Sequence, residues 1–239
     1  MRNLLLISNS TMYGGGYLDH CEKQMREFLN NKKSILFIPY ARPSGKTWDE
    51  ITNIAHEKFK TMGVNLKGIQ EYTDEQKAIE NAEVIFVCGG NTFVLLQTLY
   101  DKNLVDIIKE RVNSGIPYIG TSAGGSIAGK TIMTSNDMPI FYPPSFKALE
   151  FVPFIFNMHY IDADPNSKHM GETREIRIKE YHVFNDDTVV GLREGGMLEV
   201  VDDKIHLKGC AGAKIFRKDK EPTTHQHGES LDFLLNEQS

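Results

Sequence analysis

The sequence predicts a doubly wound α/β fold, in which a mostly parallel sheet is flanked by helices. Apolar runs of strand length alternate with amphipathic stretches of helix length through residues 4–119, and several of these runs are apolar at consecutive positions, as doubly covered strands are. With 239 residues and 40% hydrophobic content, the chain can bury the core of one such domain. We therefore expect a single domain over residues 1–239, with shorter, partly antiparallel strands in its last third.

The first half of the chain divides into strands and connecting helices. Its apolar runs predict strands at residues 4–8, 34–39, 64–69, 84–87 and 116–119. Apolar residues recur at helical spacing in the segments between them, which predicts helices at residues 18–29, 47–62, 92–100 and 104–112. Thr47 or Trp48 should begin the second of these helices, and Gly63 should end it.

The second half is less regular. Residues 133–151 are rich in proline and aromatic side chains and predict no element. Shorter strands are predicted from the apolar runs at residues 151–156, 188–192, 197–201 and 204–207. A short docking helix is predicted at residues 231–235.

Charge and cysteine content narrow the classes of partner. The net charge of −5 comes from 27 basic and 32 acidic residues without long runs of either sign, so no basic face indicates nucleic acid or anionic membrane. The apolar stretch at the amino terminus is too short for a signal peptide or a spanning helix. The three cysteines lack the spacing of a zinc site or a redox dithiol. We expect a cytoplasmic protein that acts on a small molecule.

A candidate nucleophile lies in residues 120–124 (GTSAG), where a predicted buried strand leads into a run of small residues. A strand-to-helix elbow presents a serine hydroxyl at the carboxyl end of the sheet, and small neighbours accommodate its strained backbone. The N–H of Ala123 can then donate to the oxyanion that forms when Ser122 attacks a carbonyl. A tight turn without chemistry is the alternative.

A second glycine turn, residues 89–92 (GGNT), also lies between a buried strand and a helix start. The N–H of Gly90 is therefore a second candidate oxyanion donor, and Asn91 either caps the helix or contacts the substrate. A purely structural cap is the alternative. Residues 14–16 (GGG) have neither the spacing of a dinucleotide-binding loop nor the lysine of a phosphate loop.

A nucleophilic serine needs a base, and His159 is best placed because it follows the apolar run at residues 151–156. A hydrogen-bonded structural histidine is the alternative. The base needs an acid to orient it, and both Asp137 and Glu194 are candidates. The other histidines are weaker: His20 and His56 lie on predicted surface helices, His225 and His227 in a polar tail, and His169, His182 and His206 elsewhere.

The chain resembles the peptidase E family, the α-aspartyl dipeptidases of serine peptidase family S51. The resemblance extends in order along nearly the whole chain and rests on residues 8–11 (SNST), 37–41 (FIPYA), 47–50 (TWDE), 89–93 (GGNTF), 120–124 (GTSAG), 136–140 (NDMPI) and 171–175 (GETRE). It implies hydrolysis of dipeptides with an N-terminal aspartate through an acyl-enzyme, with no metal or other cofactor.

The resemblance also implies roles for single residues. Ser122 is implied as nucleophile and His159 as base, while Asp137 and Glu194 match family positions linked to catalysis. One of these two acids should orient the histidine, and the other should bind the substrate ammonium group. Arg174 is the candidate for holding the aspartate side chain, because a guanidinium binds a carboxylate through two parallel hydrogen bonds. From spacing alone, an ion pair of Arg174 with a flanking glutamate is the alternative.

The chain departs from the family at Thr121 and Met158, where members often carry tryptophan and proline, and these changes affect the predicted pocket. The order serine, histidine, glutamate differs from that of α/β-hydrolases and favours a fold similar to class I glutamine amidotransferases. Three alternative functions stay open. They are a cyanophycinase-like exopeptidase with an extended groove, an amidotransferase-like activity that would need cysteine in place of Ser122, and a non-catalytic relative.

Overall fold

The structure, a computed structural model, describes residues 2–236. Eleven strands lie within these residues: β1 (Asn3–Ile7), β2 (Ser34–Ile38), β3 (Asn65–Gly68), β4 (Ile85–Val87), β5 (Tyr118–Thr121), β6 (Ile155–Tyr160), β7 (Val189–Arg193), β8 (Gly196–Val201), β9 (Lys204–Gly209), β10 (Ala213–Phe216) and β11 (Thr223–His225). The α-helices of the same range are α1 (Glu22–Leu29), α2 (Trp48–Thr61), α3 (Glu75–Glu80), α4 (Thr92–Asp101), α5 (Val105–Asn113), α6 (Ala123–Ser126) and α7 (Arg174–Phe184).

The larger sheet has seven strands in the order β3-β2-β4-β5-β1-β8-β9. The first five are parallel, and β8 and β9 extend the sheet in antiparallel fashion beyond β1. Leu4 through Ile7 have no exposed surface, as a strand covered on both faces requires. The predicted α/β fold with a mostly parallel sheet is confirmed. No helix among residues 2–236 has the length and hydrophobicity needed to cross a bilayer.

A second, four-stranded sheet has the order β11-β10-β7-β6. Strands β6 and β7 are parallel, and β10 and β11 are antiparallel to their neighbours. The strand predicted at residues 151–156 is displaced, since β6 begins at Ile155 and continues to Tyr160. Pro153 has no N–H for a ladder, so the chain before it stays irregular. His159 therefore lies within a strand rather than after its end.

The predicted helix boundaries hold in some places and fail in others. The start of α2 lies where it is predicted, with Thr47 as the cap and Trp48 as the first helical residue. The Thr47 hydroxyl accepts a hydrogen bond from the Glu50 N–H at 3.2 Å, and the Glu50 carboxylate accepts one from the Thr47 N–H at 2.7 Å. The helix predicted at residues 18–29 begins only at Glu22, after a 3₁₀ turn. His20 lies in that turn instead of on a surface helix, with its ring nitrogens shielded from solvent, and burial lowers its pKa.

Helix α7 was not predicted, although it begins at a residue of functional interest, Arg174. Its start carries a recognisable signal, because the Thr173 hydroxyl accepts a hydrogen bond from the Ile176 N–H at 3.2 Å, as an N-cap does. The docking helix predicted at residues 231–235 is a 3₁₀ turn, Asp232–Leu235, which packs Leu234 against the main core.

Candidate active site

Ser122 stands at a sharp turn between β5 and α6. Its backbone has φ 51° and ψ −110°, a conformation that costs a non-glycine residue about 1–3 kcal/mol. The turn is tight, since a Cβ atom on Gly124 would lie 2.2 Å from the carbonyl oxygen of Val87. The elbow therefore has the geometry expected from its small residues, and it presents Ser122 at the carboxyl edge of the parallel strands.

His159 and Glu194 form a continuous line of hydrogen bonds with Ser122. His159 Nε2 lies 2.9 Å from Ser122 Oγ, and His159 Nδ1 lies 2.7 Å from Glu194 Oε1. A carboxylate at Nδ1 favours the tautomer with its proton on that nitrogen, which leaves Nε2 free to accept the serine proton. The arrangement can therefore activate the hydroxyl of Ser122 for attack on a carbonyl carbon.

His159 reaches the serine because β6 carries a bulge at this position. The β6–β7 register shifts between Met158 and Tyr160, and His159 has φ 55°. A bulge re-aims a side chain and leaves its residue out of the strand ladder. The His159 N–H donates instead to Ser8 Oγ, at 3.0 Å.

The two candidate acids occupy different places. Asp137 Oδ2 accepts hydrogen bonds from the Thr92 N–H at 2.8 Å and from the Thr92 hydroxyl at 2.5 Å, at the start of α4. Of Asp137 and Glu194, only Glu194 forms a hydrogen bond with His159. Its side chain is about half exposed, with a relative accessibility of 50%. Of the two candidate acids, Glu194 therefore has the position from which a carboxylate orients the imidazole, and Asp137 does not.

The second glycine turn lies directly against the nucleophile. Strands β4 and β5 are parallel neighbours with Val87 opposite Gly120, which brings the turn after β4 to the elbow. A Cβ atom on Gly89 would lie only 2.9 Å from Ser122 Cβ. Gly90 follows on that turn, and Ala123 is the first residue of α6, whose N–H has no carbonyl partner within the helix. Both candidate oxyanion donors thus lie on segments that border Ser122.

Asn91 takes the capping role of its two predicted alternatives. Its Oδ1 accepts hydrogen bonds from the N–H groups of Phe93 and Val94, at 3.0 and 3.1 Å. Its Nδ2 donates to the carbonyl oxygen of Met138 at 2.8 Å. Because both ends of the amide are engaged within the protein, the structure favours the capping role of Asn91 over a substrate contact.

Arg174 opens α7 on the side of the site that holds Asp137. Burial and repulsion from Arg177 lower the pKa of its guanidinium, and attraction to Asp137 partly offsets that shift. A guanidinium stays charged at neutral pH despite such a shift. A positive and a negative group therefore stand near each other at this edge of the site.

The surface ion pair that spacing alone would give Arg174 does not form. Glu172 pairs with Arg177 at 3.7 Å, and Glu175 pairs with Lys214 at 2.7 Å. Across residues 2–236, no carboxylate lies within 4.0 Å of the Arg174 guanidinium. Its charge is available to a ligand.

Asn136 and Asn157, to which the sequence analysis gives no role, hold the strand that carries His159 through their side chains. The side-chain amides of Asn136 and Asn157, 21 residues apart, bond each other at 3.1 and 2.9 Å. Asn136 Nδ2 also donates to the Met158 carbonyl at 2.7 Å. Such a pair leaves no local signal in a sequence, because each partner is defined only by the folded chain.

Comparison with known proteins decides the family. The model of peptidase family S51 matches residues 4–208. The chain belongs to peptidase family S51. A probable α-aspartyl dipeptidase of Drosophila melanogaster is 43% identical over 237 residues, 98% of each chain. A peptidase E of Streptomyces coelicolor is 41% identical over 234 residues, 98% of this chain and 95% of the relative.

Two solved structures share the fold seen here. A peptidase from an acI-B1 actinobacterium has a TM-score of 0.73 at 19% identity, covering 97% of this chain and 96% of its own. A putative peptidase E from Listeria monocytogenes has a TM-score of 0.62 at 21% identity, covering 95% of this chain and 98% of its own. The predicted resemblance to the family is therefore confirmed at the level of sequence and of fold.

The two departures from the family pattern lie beneath the elbow rather than at its surface. Thr121 is fully buried and Met158 is 4% exposed. A Cβ atom on Gly125 would lie 2.5 Å from Met158 Cε, so this methionine packs under α6. In this S51 peptidase the two residues affect the packing that supports Ser122 and add almost no surface to the pocket.

Proposed function

We propose that this chain is a serine-type α-aspartyl dipeptidase, which cleaves dipeptides that carry an N-terminal aspartate. The observation that carries the proposal is the hydrogen-bonded line of Ser122, His159 and Glu194, at the sheet edge of a family S51 chain. The names of the relatives supply the substrate class. The alternatives of a polymer-degrading exopeptidase and of a non-catalytic relative have no comparable support.

The reaction follows the logic of a serine acyl transfer. Ser122 Oγ attacks the peptide carbonyl carbon while its proton passes to His159 Nε2, and the oxyanion accepts hydrogen bonds from the N–H groups of Gly90 and Ala123. The imidazolium, stabilised by Glu194, then protonates the leaving amine as the C–N bond breaks. Water attacks the aspartyl ester with His159 again taking a proton, and free aspartate leaves as the Ser122 hydroxyl is restored.

Two charges match the two ends of an N-terminal aspartyl residue. In the proposed binding mode, the Asp137 carboxylate, held at the start of α4, binds the substrate ammonium group. The Arg174 guanidinium, which has no carboxylate partner among residues 2–236, binds the side-chain carboxylate. A site that pairs both charges disfavours substrates that lack one, because a half-buried charge is then left without its counter-ion. A cytoplasmic location belongs to the same proposal and is supported by three cysteines that form no disulfide.

The substrate panel that tests the proposal is Asp-Leu, Asn-Leu and Glu-Leu, with cyanophycin as the polymer. We expect Asp-Leu to be cleaved, and kcat/KM for Asn-Leu to be lower by about 100-fold or more, because the amide keeps the shape but not the charge. Release of leucine in steady state provides the measurement. Equal rates for Asp-Leu and Asn-Leu, or cleavage of the polymer without cleavage of Asp-Leu, would contradict the proposal.

Replacing Arg174 by Ala should abolish the preference for aspartate while leaving Ser122 reactive. We expect kcat/KM for Asp-Leu to fall about 100-fold, towards the value for Asn-Leu, since the carboxylate loses a charged bidentate partner. The Asn-Leu rate itself should change little. The matched control is Arg177→Ala, which removes a neighbouring arginine already paired with Glu172. Unchanged kinetics of Arg174→Ala on Asp-Leu would overturn the assignment.

A further inference from the structure

Ser8 and Asn9 directly follow β1, at the edge of the larger sheet where Ser122 lies. Strand β1 lies between β5, which leads to Ser122, and β8, which follows the turn that carries Glu194. Ile7 pairs with Thr121 on one side and with Met197 on the other. The chain therefore leaves β1 between the nucleophile and the acid. Ser8 has no exposed surface and Asn9 is 1% exposed, so neither contacts the substrate.

The Ser8 hydroxyl connects three strands at the histidine. It accepts a hydrogen bond from the His159 N–H at 3.0 Å and donates one to the Leu192 carbonyl at 2.8 Å. The bulge at His159 removes the ladder partner of that N–H, and a buried N–H without a partner is strongly disfavoured. Ser8 supplies the missing acceptor and thereby stabilises the left-handed backbone, φ 55°, that aims the imidazole at Ser122.

The Asn9 amide holds the turn that carries the acid. Its Oδ1 accepts a hydrogen bond from the Gly195 N–H at 2.8 Å, and its Nδ2 donates to the Thr11 carbonyl at 3.0 Å. Gly195 directly follows Glu194, whose side chain is half exposed. An exposed carboxylate has few packing contacts to orient it, so the backbone beneath it largely determines where it points.

We propose that Ser8 and Asn9 position the hydrogen-bonded residues Ser122, His159 and Glu194. Ser8 acts through the backbone of His159, and Asn9 acts through the backbone that carries Glu194. This inference rests on the proposed function, because its effect is on proton transfer between Ser122 and His159. Misplacement of a catalytic group by about 1 Å lowers a rate by up to about 100-fold. Because neither residue touches substrate, the effect should fall on kcat rather than on KM.

The test compares Ser8→Ala and Asn9→Ala with a control of equal chemistry, Thr134→Val. The Thr134 hydroxyl is also buried and donates to a carbonyl of the same strand, that of Phe156, at 2.8 Å. We expect kcat for Asp-Leu to fall about 10- to 100-fold in both site variants, with KM within about threefold of wild type. Thr134→Val should lower the melting temperature, as Ser8→Ala and Asn9→Ala should, but leave kcat within about twofold of wild type. Ser8→Cys keeps a weak acceptor and should fall between wild type and Ser8→Ala.

A proton NMR measurement separates this inference from the proposed function. The Nδ1–H of His159, hydrogen-bonded to Glu194, should give a low-field resonance that disappears in His159→Gln. In Ser8→Ala and Asn9→Ala it should shift or broaden, whereas in Thr134→Val it should stay unchanged. Folded Ser8 and Asn9 variants with wild-type kcat and an unchanged resonance would overturn the inference. Failure of the wild type to cleave Asp-Leu would overturn the proposed function, and the resonance would still decide whether Ser8 and Asn9 position His159.

Discussion

Replacing Ser122 by Ala is expected to lower kcat/KM for Asp-Leu by about 10⁵-fold, because no other group can form the acyl-enzyme. Affinity should change far less, since the substitution leaves untouched Asp137 and Arg174, the residues that we propose pair with the two charges of the substrate. The measurements are single-turnover hydrolysis and the dissociation constant of Asp-Leu for the inactive variant. The small rate that remains should come from binding and from the oxyanion donors alone.

The matched control is Ser126→Ala, four positions further along α6. Ser126 is also buried, at 4% exposure, and its N–H bonds to the Ser122 carbonyl through the backbone, which the substitution retains. We expect this variant to keep most of its activity. A Ser122→Ala variant within about tenfold of wild type, well short of the loss typical of a nucleophile, would refute serine catalysis.

The second large effect is expected from Glu194→Gln, which should lower kcat by about 10³-fold. The glutamine amide can donate a hydrogen bond to His159 Nδ1, and this favours the tautomer whose proton blocks Nε2. Loss of the negative charge also removes the stabilisation of the imidazolium. A fully buried acid in such a triad contributes more, about 10⁴-fold, but Glu194 is half exposed and water screens part of its charge.

Asp137→Asn should be compared with Glu194→Gln, because it removes one negative charge in the same way from the other acid. Asparagine keeps an oxygen for the N–H and hydroxyl of Thr92, so the local structure should persist. We expect KM to rise about 10- to 100-fold from the lost ammonium contact, and kcat to change much less. The opposite split, with kcat lowered by Asp137→Asn and KM raised by Glu194→Gln, would exchange the two roles.

Local sequence patterns predict the buried strands of the larger sheet and the start of helix α2. Among the five parallel strands of the larger sheet, β1, β2 and β4 are consecutive apolar runs that are buried on both faces. The edge strand β3 instead alternates polar and apolar residues. The start of helix α2 falls within the predicted pair, Thr47 or Trp48, and its capping box lies within four adjacent positions. The sequence prediction places β6 too early because residues 151–156 are apolar, although Pro153 keeps the chain before Ile155 out of a strand. Helix α7 is not predicted because its apolar face is small, with Ile178 and His182 as its buried residues.

The sequence by itself determined which groups this protein has for chemistry: a serine on a glycine-rich elbow, a second glycine turn, a well-placed histidine and two candidate acids. These follow from residue type and short-range spacing, since an elbow is specified by its immediate neighbours. Only the tertiary structure decided how they are used. It places Glu194 rather than Asp137 beside His159 and engages Asn91 as a helix cap. Among residues 2–236 it leaves Arg174 without an ion pair, and it brings Ser8 and Asn9 into contact with the backbone of His159 and of Gly195. Each of these outcomes depends on strands that meet at one sheet edge although they are far apart in the chain, and no local pattern encodes such a meeting.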